Sequence, residues 1–293
     1  MKDFFLFWCI FAQRVFMKKI IKLFLKSLGS LLHLLLNFPI LVFISDAFVN
    51  AKINQKSAIK LGGETLYLAT PNFLNRYRHK TFFSKEPETL QWMDGFKKEA
   101  VFYDIGANVG LYSIYAAKKR NAKVFSFEPS FFNLEFLARN VYMNQLTDNI
   151  FIFPVALNDT IAISNFRLTS TEWGGALSTF DKDFDDSGNQ IQSEFIYNTI
   201  GFDMDHLVQA TKIPLPDHVK IDVDGLEHFI LAGAQKVIKN AKSVLIEIND
   251  NFEEQRVMSE DYMTKAGFQL VNKVHTESLD QPTFNQLWVN AQV

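Results

Sequence analysis

Cysteine is almost absent from this chain, which has one, Cys9, among 293 residues. A single cysteine excludes an internal disulfide and leaves no cysteine-based metal cluster. A strong net charge is also missing, since 30 basic and 32 acidic residues leave −2, which disfavours a nucleic-acid-binding protein. The sequence shows no internal repeat. Its apolar fraction of 48% is nevertheless enough for a packed core, and its length suits one α/β domain with an extension.

The N-terminal region differs in composition from the rest. Residues 1–45 contain six Lys or Arg and one acid, Asp3. Basic residues recur every fourth position at Lys18, Lys22 and Lys26, which is typical of a basic amphipathic helix. The apolar stretch that follows is interrupted by polar residues and a proline, so it falls short of a spanning helix of about 20 residues.

These features predict two parts, a helical extension over residues 1–50 and one domain over residues 51–293. The basic and apolar character of residues 1–45 predicts contact with a membrane surface, and places the protein in the cytoplasm at the inner face of the membrane. The alternative is a helical cap that packs on the core of the domain.

Residues 101–110, with the sequence VFYDIGANVG, are the most informative part of the chain. An apolar strand ends there near Asp104 and passes through Gly106 and Gly110 into a helix. The glycines permit a tight turn and a close approach of a ligand to the backbone, while the helix directs unpaired N–H groups at the same place. The next predicted strand is followed by Glu128, whose carboxylate can accept both hydroxyl protons of a ribose. The two strand ends together predict half of an adenosyl-binding site.

The kind of cofactor follows from two departures from the dinucleotide-binding pattern. Asn108 stands where that pattern needs a glycine, and Asp104 would repel a pyrophosphate. A carboxylate at this strand end suits a cofactor with a cationic end, such as the amino group and sulfonium of S-adenosylmethionine. Ala156, at the end of the third strand, is expected to face the adenine ring. The alternative is a purely structural turn in which Asn108 caps the helix.

Strands and helices alternate regularly after residue 100. We predict strands at 101–105, 123–127, 150–156, 218–225 and 243–248, and helices at 110–120, 131–144, 226–239 and about 252–266. Residues 268–274 and 285–290 then form a predicted terminal hairpin. The pattern predicts an α/β fold with a doubly wound, mostly parallel, seven-stranded sheet and a reversed C-terminal hairpin, the Rossmann-like fold of class I methyltransferases. Residues 160–200 form a polar insertion, in which Trp173 and Ser178 are candidate substrate contacts.

Asp222 and Asp224 are the best candidates for substrate chemistry. They are predicted to alternate along the fourth strand, so that both side chains point to one face near its carboxyl end. A carboxylate there could accept the proton of an attacking hydroxyl. In the alternative interpretation, Asp224 caps the following helix and Glu227 reaches back to the preceding turn, as in a capping box.

Two further questions about this region stay open. These aspartates and a third acid could hold a divalent ion, but their spacing matches no specific metal motif, so no metal is predicted. His206, His218 and His228 flank or follow the same strand, and each is either a candidate base or an ordinary surface or packed histidine.

The motifs together resemble those of the FkbM-family methyltransferases. The likeness covers roughly residues 58–250 and rests on TFFSKEPET at 81–89, DIGANVGLYS at 104–113, Glu128-Pro129, the helix end at 140–144, PVAL at 154–157 and KIDVDGLE at 220–227. Asp224 stands where the family usually has glutamate, which keeps the charge and shortens the side chain.

The resemblance implies methyl transfer from S-adenosylmethionine to a hydroxyl of a sugar, a glycan or a lipid-linked saccharide. By motif, Asp104, Gly106, Asn108, Gly110 and Glu128 would hold the cofactor, and Lys220, Asp222 and Asp224 would line the reaction centre. Two other functions stay open. A nucleotide-dependent oxidoreductase is disfavoured by Asn108 and the terminal hairpin, and a non-catalytic adenosyl-binding or scaffold protein is disfavoured by the intact set of cofactor residues.

Overall fold

The computed structural model of the protein describes residues 26–30, 38–276 and 282–292. The chain divides into two units, one ending at Gln55 and one beginning at Lys56. In the first unit, residues 26–30 are helical and helix α1 spans Pro39–Ile53, none of whose residues is buried. Most of the predicted basic helix lies outside the described residues. Across the described ranges, no helix has both the length and the apolar character needed to cross a bilayer.

The second unit alternates between strands and helices. In chain order its elements are β1 (Lys56–Leu61), β2 (Glu64–Ala69), α2 (Phe73–Lys80), α3 (Pro87–Asp94), β3 (Val101–Ile105), α4 (Leu111–Arg120), β4 (Lys123–Phe127), α5 (Phe131–Met143), β5 (Ile150–Phe153), β6 (Ala156–Leu157), β7 (Ala162–Leu168), β8 (Ser178–Phe180), β9 (Phe195–Phe202), α6 (Met204–Thr211), β10 (His218–Ile221), α7 (Glu227–Ala232), α8 (Gln235–Ile238), β11 (Ser243–Asn249), α9 (Glu253–Lys265), β12 (Phe268–His275) and β13 (Thr283–Asn290).

The central sheet has seven strands in the order β12-β13-β11-β10-β3-β4-β5. Strands β3, β4, β5, β10 and β11 pair in parallel, whereas β13 runs antiparallel to both β11 and β12. The predicted fold class, a doubly wound and mostly parallel sheet with a reversed C-terminal hairpin, is confirmed. Strands β3 and β4 also have the predicted bounds, because both are compact apolar runs of the kind that parallel strands need when they are covered on two faces.

Helices cover both faces of this sheet. On one face, α3, α4 and α5 bury Met93, Ile114 and Leu137. On the other face, α6, α7 and α9 bury Leu207, Ile230 and Met263. The chain winds to opposite sides from β3, since β4 follows on one side and β10 lies on the other. A crevice therefore opens at the carboxyl ends of these three strands, which is where open α/β sheets bind ligands.

Three segments of the second unit differ from the prediction, and one of them, the strand predicted for 218–225, ends at Ile221. The strand predicted for 150–156 ends at Phe153, because Pro154 has no N–H for the ladder, and β6 belongs instead to a second sheet with the order β6-β9-β7-β8. The polar insertion supplies most of this second sheet. The helix predicted for 226–239 is divided into α7 and α8 at Gly233, where a Cβ would lie 2.3 Å from the carbonyl oxygen of Asn158.

Candidate functional site

The turn after β3 brings the ends of three strands together. Gly106 has φ +79°, and a Cβ there would lie 1.8 Å from the carbonyl oxygen of Asp222, so both the conformation and the space require glycine. The backbone N–H of Gly106 donates to the Phe127 carbonyl at 3.0 Å, and the N–H of Asp222 donates to the Ile105 carbonyl at 3.1 Å. The close backbone approach that Gly106 permits is therefore made by Asp222, in the turn after β10.

Asn108 and Gly110 complete this turn in different ways. Asn108 has φ +51°, and its side-chain amide donates to the carbonyl of Gly175 in the insertion at 2.8 Å. Asn108 does not cap α4, because the N-cap residue is Gly110. A Cβ on Gly110 would lie 2.3 Å from a side-chain methyl of Leu137. Asn108 thus connects the turn to the insertion, while Gly110 lets α4 pack against α5.

Glu128 follows β4 and is only 5% exposed. Its Oε2 accepts the backbone N–H of Asn108 and its Oε1 that of Ser130, each at 2.8 Å. A carboxylate offers about four acceptor positions, and the Asn133 side chain also hydrogen-bonds to Glu128, so Glu128 keeps capacity for one further donor. Burial raises the pKa of Glu128 to about 7, although the hydrogen bonds from the backbone oppose this shift.

A cavity of about 480 Å³ lies at the carboxyl ends of β3, β4 and β10. Its volume is within the range of about 300–1,000 Å³ that small-molecule sites occupy. Most of the predicted site residues line it, namely Gly106, Asn108, Glu128, Ala156, Lys220, Asp222 and Asp224. Val155 and Leu157 extend an apolar wall from Ala156. These groups fit an adenosyl ligand, since they combine acceptors for ribose hydroxyls with an apolar surface for a flat base.

Two predicted cofactor residues, Asp104 and Gly110, do not line the cavity. Strand β3 continues through Ile105, and Asp104, which is 1% exposed, accepts a hydrogen bond from the hydroxyl of Ser113 on α4. Its Oδ1 has no hydrogen-bond partner in the described part of the chain. Burial raises the pKa of Asp104, and the ammonium of Lys220 opposes this shift. Asp104 is therefore a buried partner of Ser113 and does not line the cavity.

The acidic pair Asp222 and Asp224 lies in the turn after β10, not on the strand. Strand β10 ends at Ile221, and Asp224 has φ +59°, so the predicted alternation along a strand is wrong. The side chains converge nevertheless, because oxygens of Asp222, Asp224 and Glu247 all lie within 4.8 Å of one another. Glu247 comes from the neighbouring strand β11. The convergence results from the tight turn together with the adjacent strand end.

Lys220 is the buried cation of this cluster. It is 2% exposed, and its ammonium donates to Asp222 and lies 5.0 Å from the ring centroid of Tyr112. Burial alone would lower the pKa of Lys220, but the charges of Asp222, Glu86 and Asp104 raise it above its ordinary value. Lys220 therefore stays charged and holds Asp222 in place.

Asp222 and Glu247 are pushed to opposite protonation states. Burial would raise the pKa of Asp222, but the Lys220 ammonium and a hydrogen bond from Glu247 keep it below its usual range. Burial and then the charge of Asp222 raise the pKa of Glu247 well above its usual range. Glu247 therefore holds its proton more tightly than Asp222 does. The absence of a metal ion from this acidic cluster stays a prediction.

Asp224 fixes the insertion and does not cap a helix. Its Oδ2 accepts the backbone N–H groups of Leu177 at 2.7 Å and Ser178 at 3.3 Å, while the N-cap residue of α7 is Leu226. The other half of the predicted capping box is present, since Glu227 accepts backbone N–H groups of the preceding turn. Burial, followed by the charge of the neighbouring aspartate, raises the pKa of Asp224 to about 7.

None of the three candidate histidines lines the cavity. His218 lies at the opposite end of β10, stacks on Phe96 with 3.9 Å between ring centroids and hydrogen-bonds to Ser243. His206 is exposed on α6 and His228 is fully buried in α7. Burial lowers the pKa values of His218 and His228 to about 4. All three have the surface or packed roles of the alternative interpretation.

Other cavity-lining residues were not identified from the sequence. They include Arg78, Glu86, Tyr112 and Glu247. Glu86 lies in the TFFSKEPET segment, so the family resemblance contained a signal for it. Arg78 had no such signal, because its hydrogen bond to the Gly174 carbonyl joins residues 96 positions apart. Of the two candidates in the insertion, Ser178 lines the cavity, whereas Trp173 packs on Phe136.

The fold and the site define an α/β protein of the class I methyltransferase type. Its cavity lies in the crevice at the carboxyl ends of the sheet strands. The profile of the methyltransferase FkbM domain matches residues 104–270, which is more than half of the chain. The protein belongs to this family, and the resemblance inferred from the motifs is confirmed.

Individual relatives are distant. Hexuronic acid methyltransferase AglP of Haloferax volcanii is 25% identical over 154 residues, which cover 52% of this chain and 57% of the relative. The chain thus matches less than two thirds of that relative's length. Among the similar solved structures is methyltransferase FkbM from Methylobacillus flagellatus KT, with 16% identity, coverage of 66% of this chain and 44% of that chain, and a TM-score of 0.47. Another is M. capricolum TrmK in complex with S-adenosylhomocysteine, with 13% identity, coverage of 69% of this chain and 67% of that chain, and a TM-score of 0.42.

Proposed function

We propose that this protein transfers a methyl group from S-adenosylmethionine to a hydroxyl of a sugar, a glycan or a lipid-linked saccharide. The observation that carries the proposal is one cavity that joins the ribose-type carboxylate of Glu128 to the carboxylates of Asp222 and Asp224. Membership of a methyltransferase family supports the reaction class. In this proposal residues 51–293 form the catalytic domain and residues 1–50 an extension.

Four residues would hold the cofactor directly. Glu128 has acceptor capacity left for a ribose hydroxyl, and Ala156 offers an apolar contact for the adenine. Gly106 and Asn108 supply a turn whose backbone a ligand can approach. The bound cofactor supplies an activated methyl group on a positively charged sulfur. The acidic residues of the cavity favour that charge.

Asp224 is the best placed proton acceptor for an acceptor hydroxyl. Its Oδ2 accepts two backbone N–H groups of the insertion, no hydrogen bond to its Oδ1 is found within the described residues, and Asp224 lines the cavity. A pKa of about 7 suits a general base at neutral pH. Asp222 is held ionised by Lys220, so its charge would attract the cationic end of the cofactor.

The class of the methyl acceptor is inferred from the named relative and from the net charge of the chain. One curated relative of this chain is a hexuronic acid methyltransferase, which supports a saccharide acceptor. The net charge of −2 supports an acceptor other than nucleic acid.

Calorimetric titration of the full-length protein tests the cofactor. We expect S-adenosylmethionine and S-adenosylhomocysteine to bind and NAD not to bind. Glu128→Ala should weaken the adenosyl ligands by at least about tenfold, since hydrogen bonds to a charged group are lost. A folded protein that binds no adenosyl ligand, or one that prefers NAD, would remove the proposal.

Methyl transfer to a panel of saccharides then tests the proton acceptor. In the wild-type protein the rate should rise with pH through about 7, as Asp224 loses its proton. Asp224→Asn should lose most of this rate and its pH dependence. A variant with an unchanged pH profile would assign the base to another group.

We also propose that residues 1–45 contact a membrane surface at its cytoplasmic face. Within these residues helix α1 exposes large apolar side chains, with Ile40 65% and Phe43 71% exposed, and the region carries six basic residues. Apolar and basic side chains together favour anionic lipid surfaces. The full-length protein should sediment with anionic vesicles, and an Ile40→Ser, Phe43→Ser variant should do so less. Equal and negligible sedimentation of both would contradict the proposal.

A further inference from the structure

Arg78 extends from α2 into the wall of the cavity. It is half-buried, and its Nη2 donates to the carbonyl oxygen of Gly174 at 2.5 Å. Its Nε is enclosed and has no hydrogen-bond partner among the described residues. The contact with Gly174 fixes the guanidinium, but one hydrogen bond to a neutral carbonyl leaves most of its donors unused and gives its charge no direct ion pair among the described residues.

The other cations of the cavity have acidic partners. Lys85 lies 3.6 Å from Glu86, and Lys220 donates to Asp222. Arg78 forms no ion pair of this kind with any residue of the described ranges. Burial lowers the pKa of Arg78, although the charges of Asp222 and other acidic groups oppose this at longer range. A partly buried cation without a partner is unfavourable, unless a ligand supplies the anion.

We propose that Arg78 binds a carboxylate of a ligand in this cavity. A guanidinium is planar and matches a carboxylate with two parallel hydrogen bonds, which makes arginine the usual residue for this group. The inference rests on the proposed function, because methyl transfer brings two ligands that can carry a carboxylate. One is the amino-acid end of the adenosyl cofactor, and the other is an acidic saccharide acceptor.

The first arm of the test compares two adenosyl ligands on the full-length protein. S-adenosylhomocysteine has the amino-acid carboxylate, and 5′-methylthioadenosine lacks it. If the cofactor is the source, Arg78→Met weakens S-adenosylhomocysteine about 10- to 100-fold and leaves 5′-methylthioadenosine unchanged. Arg78→Lys, which keeps the charge but not the planar fork, should recover part of this loss. Arg76→Met is the matched control, since Arg76 is on the same helix and does not line the cavity.

The second arm compares glucuronate with glucose by thermal shift. If the acceptor is the source, glucuronate stabilises the wild-type protein more than glucose does, Arg78→Met abolishes the difference, and the adenosyl affinities do not change. This arm does not need the cofactor, so it still reports on Arg78 if the wild-type protein binds no adenosyl ligand and the proposed function fails. The inference is overturned if the wild-type protein prefers neither S-adenosylhomocysteine over 5′-methylthioadenosine nor glucuronate over glucose. It is also overturned if both Arg78→Met and Arg78→Lys keep the full wild-type preference for the carboxylate ligand.

Discussion

Replacing Gly106 with alanine should damage both the stability and the ligand site of this protein. The left-handed conformation at φ +79° costs an L-residue roughly 1–2 kcal/mol. The added Cβ would lie 1.8 Å from a backbone carbonyl of Asp222, which cannot rotate away as a side chain could. Relief requires the turn to move and weakens the hydrogen bond between Asp222 and Ile105, and such overpacking costs about 1–3 kcal/mol more.

Gly62 provides a matched control for the conformational part of this cost. It has φ +57°, and no atom lies within 4 Å of a Cβ built there. Gly62→Ala should therefore lower the free energy of unfolding by roughly 1–2 kcal/mol, and Gly106→Ala by about 2–5 kcal/mol. Each kcal/mol should lower Tm by about 2–4 °C in a domain of this size.

Chemical denaturation of the full-length variants measures the difference, and calorimetry with S-adenosylhomocysteine measures the functional effect. Gly106→Ala displaces the backbone that carries Asp222, so it should weaken the ligand at least about tenfold, whereas Gly62→Ala should leave the affinity unchanged. If the two variants have the same stability and the same affinity, the close approach of β10 to the turn is not a constraint on the folded protein.

Three further predictions follow from the buried charges. Because the pKa of Glu128 is about 7, calorimetry should show adenosyl affinity falling as the pH drops below that value, and Glu128→Gln should weaken binding and remove this dependence. Lys220→Met leaves Asp104 and Asp222 without their cation, so denaturation should show a loss of about 3–5 kcal/mol in unfolding free energy. Burial raises the pKa of Glu227 to about 8, so the folded state holds this proton more tightly than the unfolded state. The resulting stability is fully present below the ordinary pKa of glutamate and is lost as the pH rises through about 8. Glu227→Gln should flatten this part of the profile of stability against pH.

Matched controls separate these effects from general damage. Glu253→Gln changes an exposed acid on α9 and should alter neither affinity nor the pH profile of stability. Lys242→Met breaks a partly exposed pair with Asp217 and should cost less than about 1 kcal/mol. A Lys220→Met variant no less stable than Lys242→Met would show that Lys220 is not needed to balance the buried acids. An adenosyl affinity that stays constant between pH 5.5 and 8.5 would contradict the role of Glu128.

The sequence determined the sheet and one half of the site. Strands β3 and β4 and the turn at Gly106 are encoded by short apolar runs bounded by glycine or an acid, so their type and bounds follow from local pattern alone. The position of Glu128 at the cavity follows in turn, because the carboxyl ends of parallel strands meet at one edge of a sheet. The doubly wound, mostly parallel character of the sheet follows from the regular alternation of strands and helices, since right-handed crossovers leave few topologies.

Tertiary structure decided the other half of the site. Asp104 matches the motif, but it is buried, accepts a hydrogen bond from Ser113 and does not line the cavity. Glu247 and Arg78 reach the site from elements far apart in the chain, and Arg78 is held there by Gly174 of the insertion. Local sequence patterns fix where a strand or helix runs, because they depend on neighbours a few residues away. The convergence of charges depends on how distant loops pack, which no local pattern contains.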